Sequence, residues 1–415
     1  MSDFDSYNFN NLVRDVSPIF DTLAAERPSL LTLIVAASGG FGGRLIDENG
    51  NALPAPVFTS SSVNGSVTNT TYEWIDDQLT PTKTTLTANS NIGVTTLGLA
   101  STAGLRVGSI LRFTSPLKSP RSVQVQVTAV VSPTSVTVIR PFGGSTDVNL
   151  LANDIAYLVS SPLLQGSTTG TGLVHQGVMN SNYTQIFDAV AQLTKTAAAS
   201  ASYDGYTLMA NQMNVAIINM LREMNAAAIF GVKTAGSGTT AATAGGLLYY
   251  LNSIGGNIFS VGGAISQTIM NDAFESVYTK GGMSNNYVWV GAPNQMRKVT
   301  GLNTLGTNPV TFKEDFPNQR LGNTVTTFIS DLPVIDTSGK QGGMEARMFI
   351  EHSIPADTLL LLDLNYLRMP VMRSPFTSNA AQNGDDVFKI RTLTELTFQV
   401  RNSKAAHAVI TGLTI

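Results

Sequence analysis

Gly205–Phe230 constrains this chain more than any other stretch. Tyr206, Met209, Ala210, Met213, Ala216, Ile217, Met220, Leu221, Met224, Ala227 and Ala228 recur at three- and four-residue intervals, which marks one face of an α-helix. Asp204 stands where an N-cap acceptor belongs, and Gly231 where a left-handed residue ends a helix. The helix between them would run about 39 Å at 1.5 Å per residue. Its other face holds Asn211, Gln212, Asn214, Asn219 and Asn225, and no Asp, Glu, Lys or Arg occurs from Gly205 to Leu221. A solvated helix face normally carries Glu–Lys pairs. An amide face suits contact with protein, where it bonds without desolvating ions. Met209, Met213, Met220 and Met224 could form an adaptable binding stripe, but the ordinary use of such a row is core packing against a sheet.

The shortage of charge extends to the whole sequence. Charged residues make up 13% of the 415, against about 25% in soluble domains. No membrane accounts for this. The richest apolar runs, Leu31–Ala37 and Leu359–Leu364, fall far short of the ~18 residues of a spanning helix. Much of the surface is therefore expected to meet other copies of the chain. The net charge of −3 and pI of about 5.7 offer no basic face for nucleic acid. Cysteine is absent, which removes disulfides and thiolate chemistry. Met1-Ser-Asp-Phe-Asp-Ser lacks the features of a secretory signal. The sequons at Asn64, Asn69 and Asn182 then read as chance matches, and the expected compartment is the cytoplasm.

The length predicts two to three domains. Asn10–Ala25 has a helical stripe of Leu12, Val13, Val16, Ile19, Phe20 and Leu23, and Ser38–Gly43 breaks regular structure. Residues 47–71 read as extended. From 84 to 160 short β-like runs recur: Thr84–Thr87, Thr95–Leu99, Ser109–Phe113, Val123–Val131, Ser135–Arg140 and Asp154–Val159. They predict a small all-β barrel or sandwich, inserted into a loop because its neighbours are of another type. Gln185–Ala198 reads as a helix ahead of the long one, and Lys233–Gly246 as a linker. A mixed α/β stretch follows, with helices over Ser266–Thr279 and Pro293–Leu302. Its strands are Tyr287–Gly291, Thr324–Ile329, Leu332–Ile335, Arg347–Glu351 and Leu359–Leu362, and a long final strand spans Val387–Val400.

Catalytic patterns are missing. His175, His352 and His407 lie far apart, and none has a ligand-type partner one helical turn away. The glycine clusters match no phosphate-binding motif, and no G-x-S-x-G elbow occurs. Asp76/Asp77, Glu314/Asp315 and Asp385/Asp386 are adjacent carboxylates, which point to opposite faces of a strand and make poor acid/base pairs. A glycosidase could draw one carboxylate from each of two distant segments, but nothing selects such a pair. Pairing with the scarce Arg and Lys of neighbouring subunits is the functional alternative for these acids. No enzyme activity and no cofactor or metal are expected.

The order of parts, with an N-terminal arm, an extended loop, a long helix, an α/β domain and a late return strand, resembles the major capsid protein of tailed bacteriophages. Tyr72-Glu-Trp-Ile-Asp-Asp-Gln-Leu79, then a β-rich insert, then Gln165-Gly-Ser167, is similar to a group of them with a small β domain in this region. Thr184-Gln-Ile-Phe187 and Leu193-Thr-Lys-Thr196 resemble that group's approach to its spine helix. Gly245-Gly246-Leu247 resembles the start of its A domain, and Leu393-Thr-Glu-Leu-Thr-Phe398 to Gly412-Leu413 its C-terminal strand and tail.

The resemblance implies an α+β fold of spine helix, P domain, A domain and E loop. It divides the chain into an arm and helix (1–46), an E-loop region (47–83 and 161–184) and the β insert (84–160). The spine helix with part of the P domain (185–244), the A domain with adjoining P-domain strands (245–372) and a C-terminal strand and tail (373–415) follow. The implied function is a shell of hexamers and pentamers around double-stranded DNA, built in the host bacterial cytoplasm. Implied partners are copies of the chain, portal and scaffold proteins, a decoration protein on the insert and weak non-specific DNA contacts.

Assembly contacts are expected at Met209, Met213, Asn214, Met220, Arg222 and Glu223 on the helix, and at Trp74, Asp76, Asp77 and Lys83 in the E loop. Some relatives cross-link Lys to Asn near that loop. Lys83 and Lys118 lie near it, but no local motif marks either, so no cross-link is expected. The competing readings are a tail-tube type phage protein and an exported β-rich adhesin or glycan hydrolase.

Overall fold

The computed structural model describes residues 30–31, 33–34, 44–46, 52–56, 67–77, 81–114, 122–163, 165–166, 177–199, 208–253, 257–282, 284, 286–302, 327–332, 334–335, 341–382 and 384–415. The predicted helix Asn10–Ala25 and the Asp204 cap lie outside them. The fold is mixed α+β and divides into two compact units, residues 77–178 and the rest of the chain.

In the larger unit the long helix runs over Leu208–Phe230. Met213, Ile217, Met220, Met224, Ala228 and Ile229 are buried. This face packs on a three-stranded antiparallel sheet ordered Gln185–Thr194, Val387–Leu396, Val371–Asn379. Gln185–Thr194 is thus a strand and not the helix expected from sequence. Phe187, Ala189 and Ala191 are buried while the residues between them are exposed, a period of two. The Ala and Gln content suggested a helix, but burial on one face of the sheet decides the conformation. The short helix Lys195–Ala199 follows.

A second, six-stranded sheet has the order Asn257–Ser260, Ala408–Thr411, Leu359–Asp363, Tyr287–Gly291, Glu345–Ile350, Thr327–Ile329. Two of its pairs are parallel and the rest antiparallel. Every residue of its two central strands is buried. Alternate side chains divide between two cores. Tyr287, Trp289, Leu359 and Leu361 pack with Met270, Phe274 and Val277 of the helix Gln267–Thr279, which Ser266 caps by accepting from the Ile269 N–H. Val288, Val290, Leu360 and Leu362 join Met220, Met224, Ala228, Phe187 and Ala189. The C-terminal half of the long helix therefore shares one core with both sheets. The predicted strand Val387–Val400 ends at Leu396, and the last strand of the sheet is Ala408–Thr411, four residues that sequence reasoning missed.

Two residues of the long helix region depart from expectation. Asn225, assigned to the outward amide face, is 2% exposed. Its side-chain oxygen accepts from the Leu31 N–H at 3.0 Å, and buried Glu351 accepts from the Leu30 N–H at 2.9 Å. These two side chains satisfy the amides of Leu30 and Leu31. Gly231 does not adopt a left-handed conformation. It is required because the chain returns against it. Gly246 donates its N–H to the Gly231 carbonyl at 2.8 Å, and a Cβ on Gly246 would lie 2.5 Å from the Ala227 oxygen. The linker between them folds back through paired hydrogen bonds joining Thr234 and Thr243.

The smaller unit holds six strands, Lys83–Thr85, Thr96–Gly98, Ile110–Thr114, Ser122–Ser132, Ser135–Ile139 and Ile155–Ser160, in one antiparallel sheet whose edges are the first two. Those edges also join. Leu86 bridges Leu99, the Thr87 N–H donates to the Gly98 carbonyl at 3.0 Å, and the Ala100 N–H to the Thr85 carbonyl at 2.8 Å. The sheet therefore closes into a barrel around Leu97, Leu111, Phe113, Val123, Val125, Val136 and Val138. The Arg140 side chain is fully buried. It pairs with Asp147 and donates to Ser90 Oγ at 3.0 Å, and Asp147 also accepts from the Gly93 N–H. The strands Thr71–Asp76 and Val178–Tyr183 pair with one another, so the chain leaves for the barrel and returns from it on adjacent strands.

Three outcomes follow from this architecture. Gly246→Ala should destabilise the larger unit by ~1–3 kcal/mol through overpacking. Gly238→Ala, which meets open space, should leave the urea midpoint unchanged; equal midpoints for both would refute the close-approach argument. Replacing residues 84–160 by a short linker should leave the melting transition of the larger unit intact, as read by near-ultraviolet circular dichroism of its tryptophans. Loss of that transition would make the barrel part of the same folding unit.

The third outcome concerns pH. Asp363 and His407 are both fully buried, and the Asp363 N–H donates to His407 Nδ1 at 3.2 Å. Desolvation pushes the Asp363 carboxyl up to about 6, which costs stability that grows as pH rises from its ordinary 3.8 and is absent in acid. Burial pushes His407 down to about 4 from 6.5, so its contribution is present above pH 6.5 and is lost as pH falls. The two slopes oppose each other. Between pH 7 and 5, Asp363→Asn should lose stability relative to the parent and His407→Asn should gain it. Urea titrations showing the same sign for both would overturn this assignment.

Candidate functional site

The residues that could carry chemistry are scattered or engaged in structure. His352 is exposed, His407 is buried in the six-stranded sheet, and His175 and the pair Glu314/Asp315 lie outside the described residues. Asp76 accepts from the Asn402 N–H at 3.0 Å and from Asn180 Nδ2 at 2.6 Å. Desolvation raises its pKa above the usual carboxylate range, and these hydrogen bonds act against the rise. Asp385 accepts from the Gln382 N–H through its carboxylate and from Lys195 through its backbone oxygen. Among the described residues no group of three or more His, Asp or Glu is placed to hold a metal, and no helix is long and apolar enough to cross a membrane.

The positions expected at subunit contacts separate into two kinds. Trp74 is buried and packs on Tyr250 at 5.5 Å between ring centroids, and the Tyr250 hydroxyl donates to the Ser181 carbonyl at 2.8 Å. Trp74 and half-buried Asp76 thus both make contacts within their own chain. Met213 and Met220 are buried against the sheets, and Met209 packs beside Met213 and Ile217. The methionine row is core, the ordinary use of such a row. Asn214 is half-buried, with its side-chain oxygen enclosed and unbonded. Arg222 and Glu223 are exposed with Gln212 and Asn219, so the outward face of the helix carries both amides and its first charges. Asp77 lies at the start of the smaller unit, and Lys83 is exposed on the barrel.

Sequence reasoning missed an exposed apolar surface of the larger unit. The three-stranded sheet turns Ile186 and Val190 outward, and Phe376 lies opposite Leu393 on that face; all three are more than 40% exposed. The charges beside them pair within the chain. Arg391 Nε donates to Asp188 at 3.1 Å, and Arg373 meets Glu395 at 2.7 Å while Thr184 donates to the same carboxylate. The exposed Arg391–Asp188 pair contributes little to stability. The signal that would have revealed this face is the alternation Phe187, Ala189, Ala191, which only a strand assignment makes visible.

Among the described residues this arrangement holds apolar and amide faces without a metal-binding cluster. The capsid asymmetric unit of cyanophage A-1(L) is 14% identical, with 61% of this chain and 85% of that chain covered at a TM-score of 0.42. Mycobacterium phage Bobi is 10% identical, with 79% and 88% covered at 0.40, and the capsid of Myoviridae phage XM1 is 11% identical, with 61% and 81% covered at 0.40. Likenesses this distant add nothing to an assignment by themselves. No curated protein matches the chain. A family does: the SU10 major capsid protein family matches residues 51–414, nearly the whole sequence, and the chain belongs to it.

Proposed function

We propose that this capsid protein assembles as hexamers and pentamers into an icosahedral shell enclosing double-stranded DNA, and that its role is structural and not enzymatic. The observation that carries the reading is the match to a major capsid protein family over residues 51–414. The surface supports it physically. Ile186, Val190 and Phe376 stand exposed on one sheet face, and the outward helix face carries amides in a chain only 13% charged. Shell subunits spend such surface on neighbours, in interfaces well above the standard ~1,600 Å².

Assembly in the host bacterial cytoplasm and presence in the finished virion follow from the same reading, as do portal and scaffold partners. Contact with packaged DNA would be weak and non-specific, through a few Lys and Arg of the inner surface. A decoration protein would find a foothold at the barrel hairpin, where Val130 and Val131 are exposed beside the turn at 132–135. The division into arm, E loop, P domain and A domain is part of the same proposal.

Expression in bacteria followed by cryo-electron microscopy tests the reading. Closed shells with six- and five-fold capsomers are expected. Open tubes would instead identify a tail-tube protein, and monomers that hydrolyse glycans an exported enzyme. Either outcome would overturn the capsid reading.

A further inference from the structure

The outer wall of the barrel carries a row of side chains that its core does not use. Lys83 lies opposite Tyr157, Tyr157 opposite Arg112, and Arg112 opposite Gln124, across four neighbouring strands. Directly opposed residues of antiparallel strands share a face, so the four lie side by side. Lys83, Tyr157 and Arg112 are exposed, and Val159, at the register shift two residues on from Tyr157, is exposed as well. The row is cationic at Lys83 and Arg112, with the Tyr157 ring between them. A barrel wall facing water alone has no need of the exposed ring and valine.

The larger unit offers a surface of opposite character. The helix Gln267–Thr279 and the loop at Asp331 enclose a pocket of about 270 Å³ lined by Asn271, Asp272, Glu275, Asp331 and Leu332 among others. Its lining contains three carboxylates and no cation. Asp272, Glu275 and Asp331 form no ion pair among the described residues. The Asn271 side-chain oxygen is enclosed without a donor. Leu332 gives the rim an apolar part. A guanidinium brings five N–H donors and an ammonium three, and this pocket presents acceptors for them.

We propose that the Lys83–Tyr157–Arg112 row of one copy docks on the Asp272–Glu275–Asp331 pocket of a second copy. The proposal rests on the reading of the chain as a shell subunit, which supplies the second copy. Charge complementarity selects the occupant. In a chain this poor in charge, a cationic row with an apolar neighbour and an acidic pocket with an apolar rim match each other in both respects. Complementary charges of this kind fix register and exclude wrong partners more than they add affinity. The contact would therefore decide which subunits meet, while the apolar and amide faces supply most of the buried area.

Two charge-reversed variants test it. One carries Lys83→Glu with Arg112→Glu, the other Asp272→Lys with Glu275→Lys. All four positions are exposed, so each variant should melt as the parent does. Each alone should give about tenfold fewer shells than the parent at physiological salt. Mixed in equal amounts, they should co-assemble, because each barrel then finds a pocket of opposite charge on the other variant. Parent-like assembly of either variant alone overturns the proposal. So does a mixture no better than its parts, and so does rescue only when all four changes share one chain, which would place the contact within a subunit. Failure of the parent itself to form shells would instead remove the capsid reading on which the proposal rests.

Discussion

Burial of one face of the helix Leu208–Phe230 between two sheets is the constraint on which the larger unit depends. Met220, Met224 and Ala228 touch residues of the three-stranded sheet and of the six-stranded sheet in one continuous core. Neither sheet could keep its inner face dry without the helix. The helix in turn has too little charge and too few i,i+4 pairs to hold its shape in water. Gly246 lets the returning chain lie against the backbone oxygens of Ala227 and Ala228 at the helix end, which brings Leu247, Tyr250 and Leu251 into the same core. A larger residue at Gly231 or Gly246 would push that whole layer outward.

The sequence was legible where a single period ran unopposed. The long helix, the helix Gln267–Thr279, the central strands and the barrel strand Ser122–Ser132 each show one clear repeat or one unbroken apolar run. It was misread where composition and pattern disagreed. Gln185–Thr194 is rich in Ala and Gln, which favour helices, yet its buried residues alternate. Tertiary burial overrode propensity there. Ala408–Thr411 is too short to announce itself, and it is a strand because it lies between Asn257–Ser260 and Leu359–Asp363. Gly231 could be seen to matter, but its reason, the approach of Gly246, depends on residues fifteen positions away. The exposed faces proposed for assembly were half legible for the same cause. Lys83 and the outward amides Gln212 and Asn219 could be named from sequence, whereas Ile186, Val190 and Phe376 disappeared behind a wrong helix. The contacts that Trp74 and Asp76 make within their own chain, with Tyr250, Asn180 and Asn402, were not legible.

The scarcity of charge acquires a different meaning once each charge is located. Several of the few ions are spent inside. Arg140 lies buried with Asp147, Glu351 holds the Leu30 amide, and Glu395 binds Arg373 and Thr184. A buried ion gains specificity of geometry more than stability. Each of these fixes a loop or an edge where apolar packing would be ambiguous. Arg140 ties the turn at Ser90 to the segment at Val148, so the barrel's polar loops keep one arrangement. What remains outside is a thin set of charges, and a thin set can be selective because each one has few rivals.

A subunit that is to live at very high local concentration faces a specific hazard, since any open strand edge can pair with any other. The barrel removes that hazard by closure, for its first two strands bond to each other and leave no free ladder. The three-stranded sheet limits it differently. Its outer strand Val371–Asn379 carries Pro375 within a register shift, where a proline interrupts continuous pairing. With backbone pairing suppressed at these places, association must proceed through side chains. Side chains can distinguish one neighbouring face from another in a way that a bare ladder cannot. The low charge, the outward apolar residues and the closed barrel are then parts of one solution: a surface that is meant to associate, with the indiscriminate ways of associating closed off.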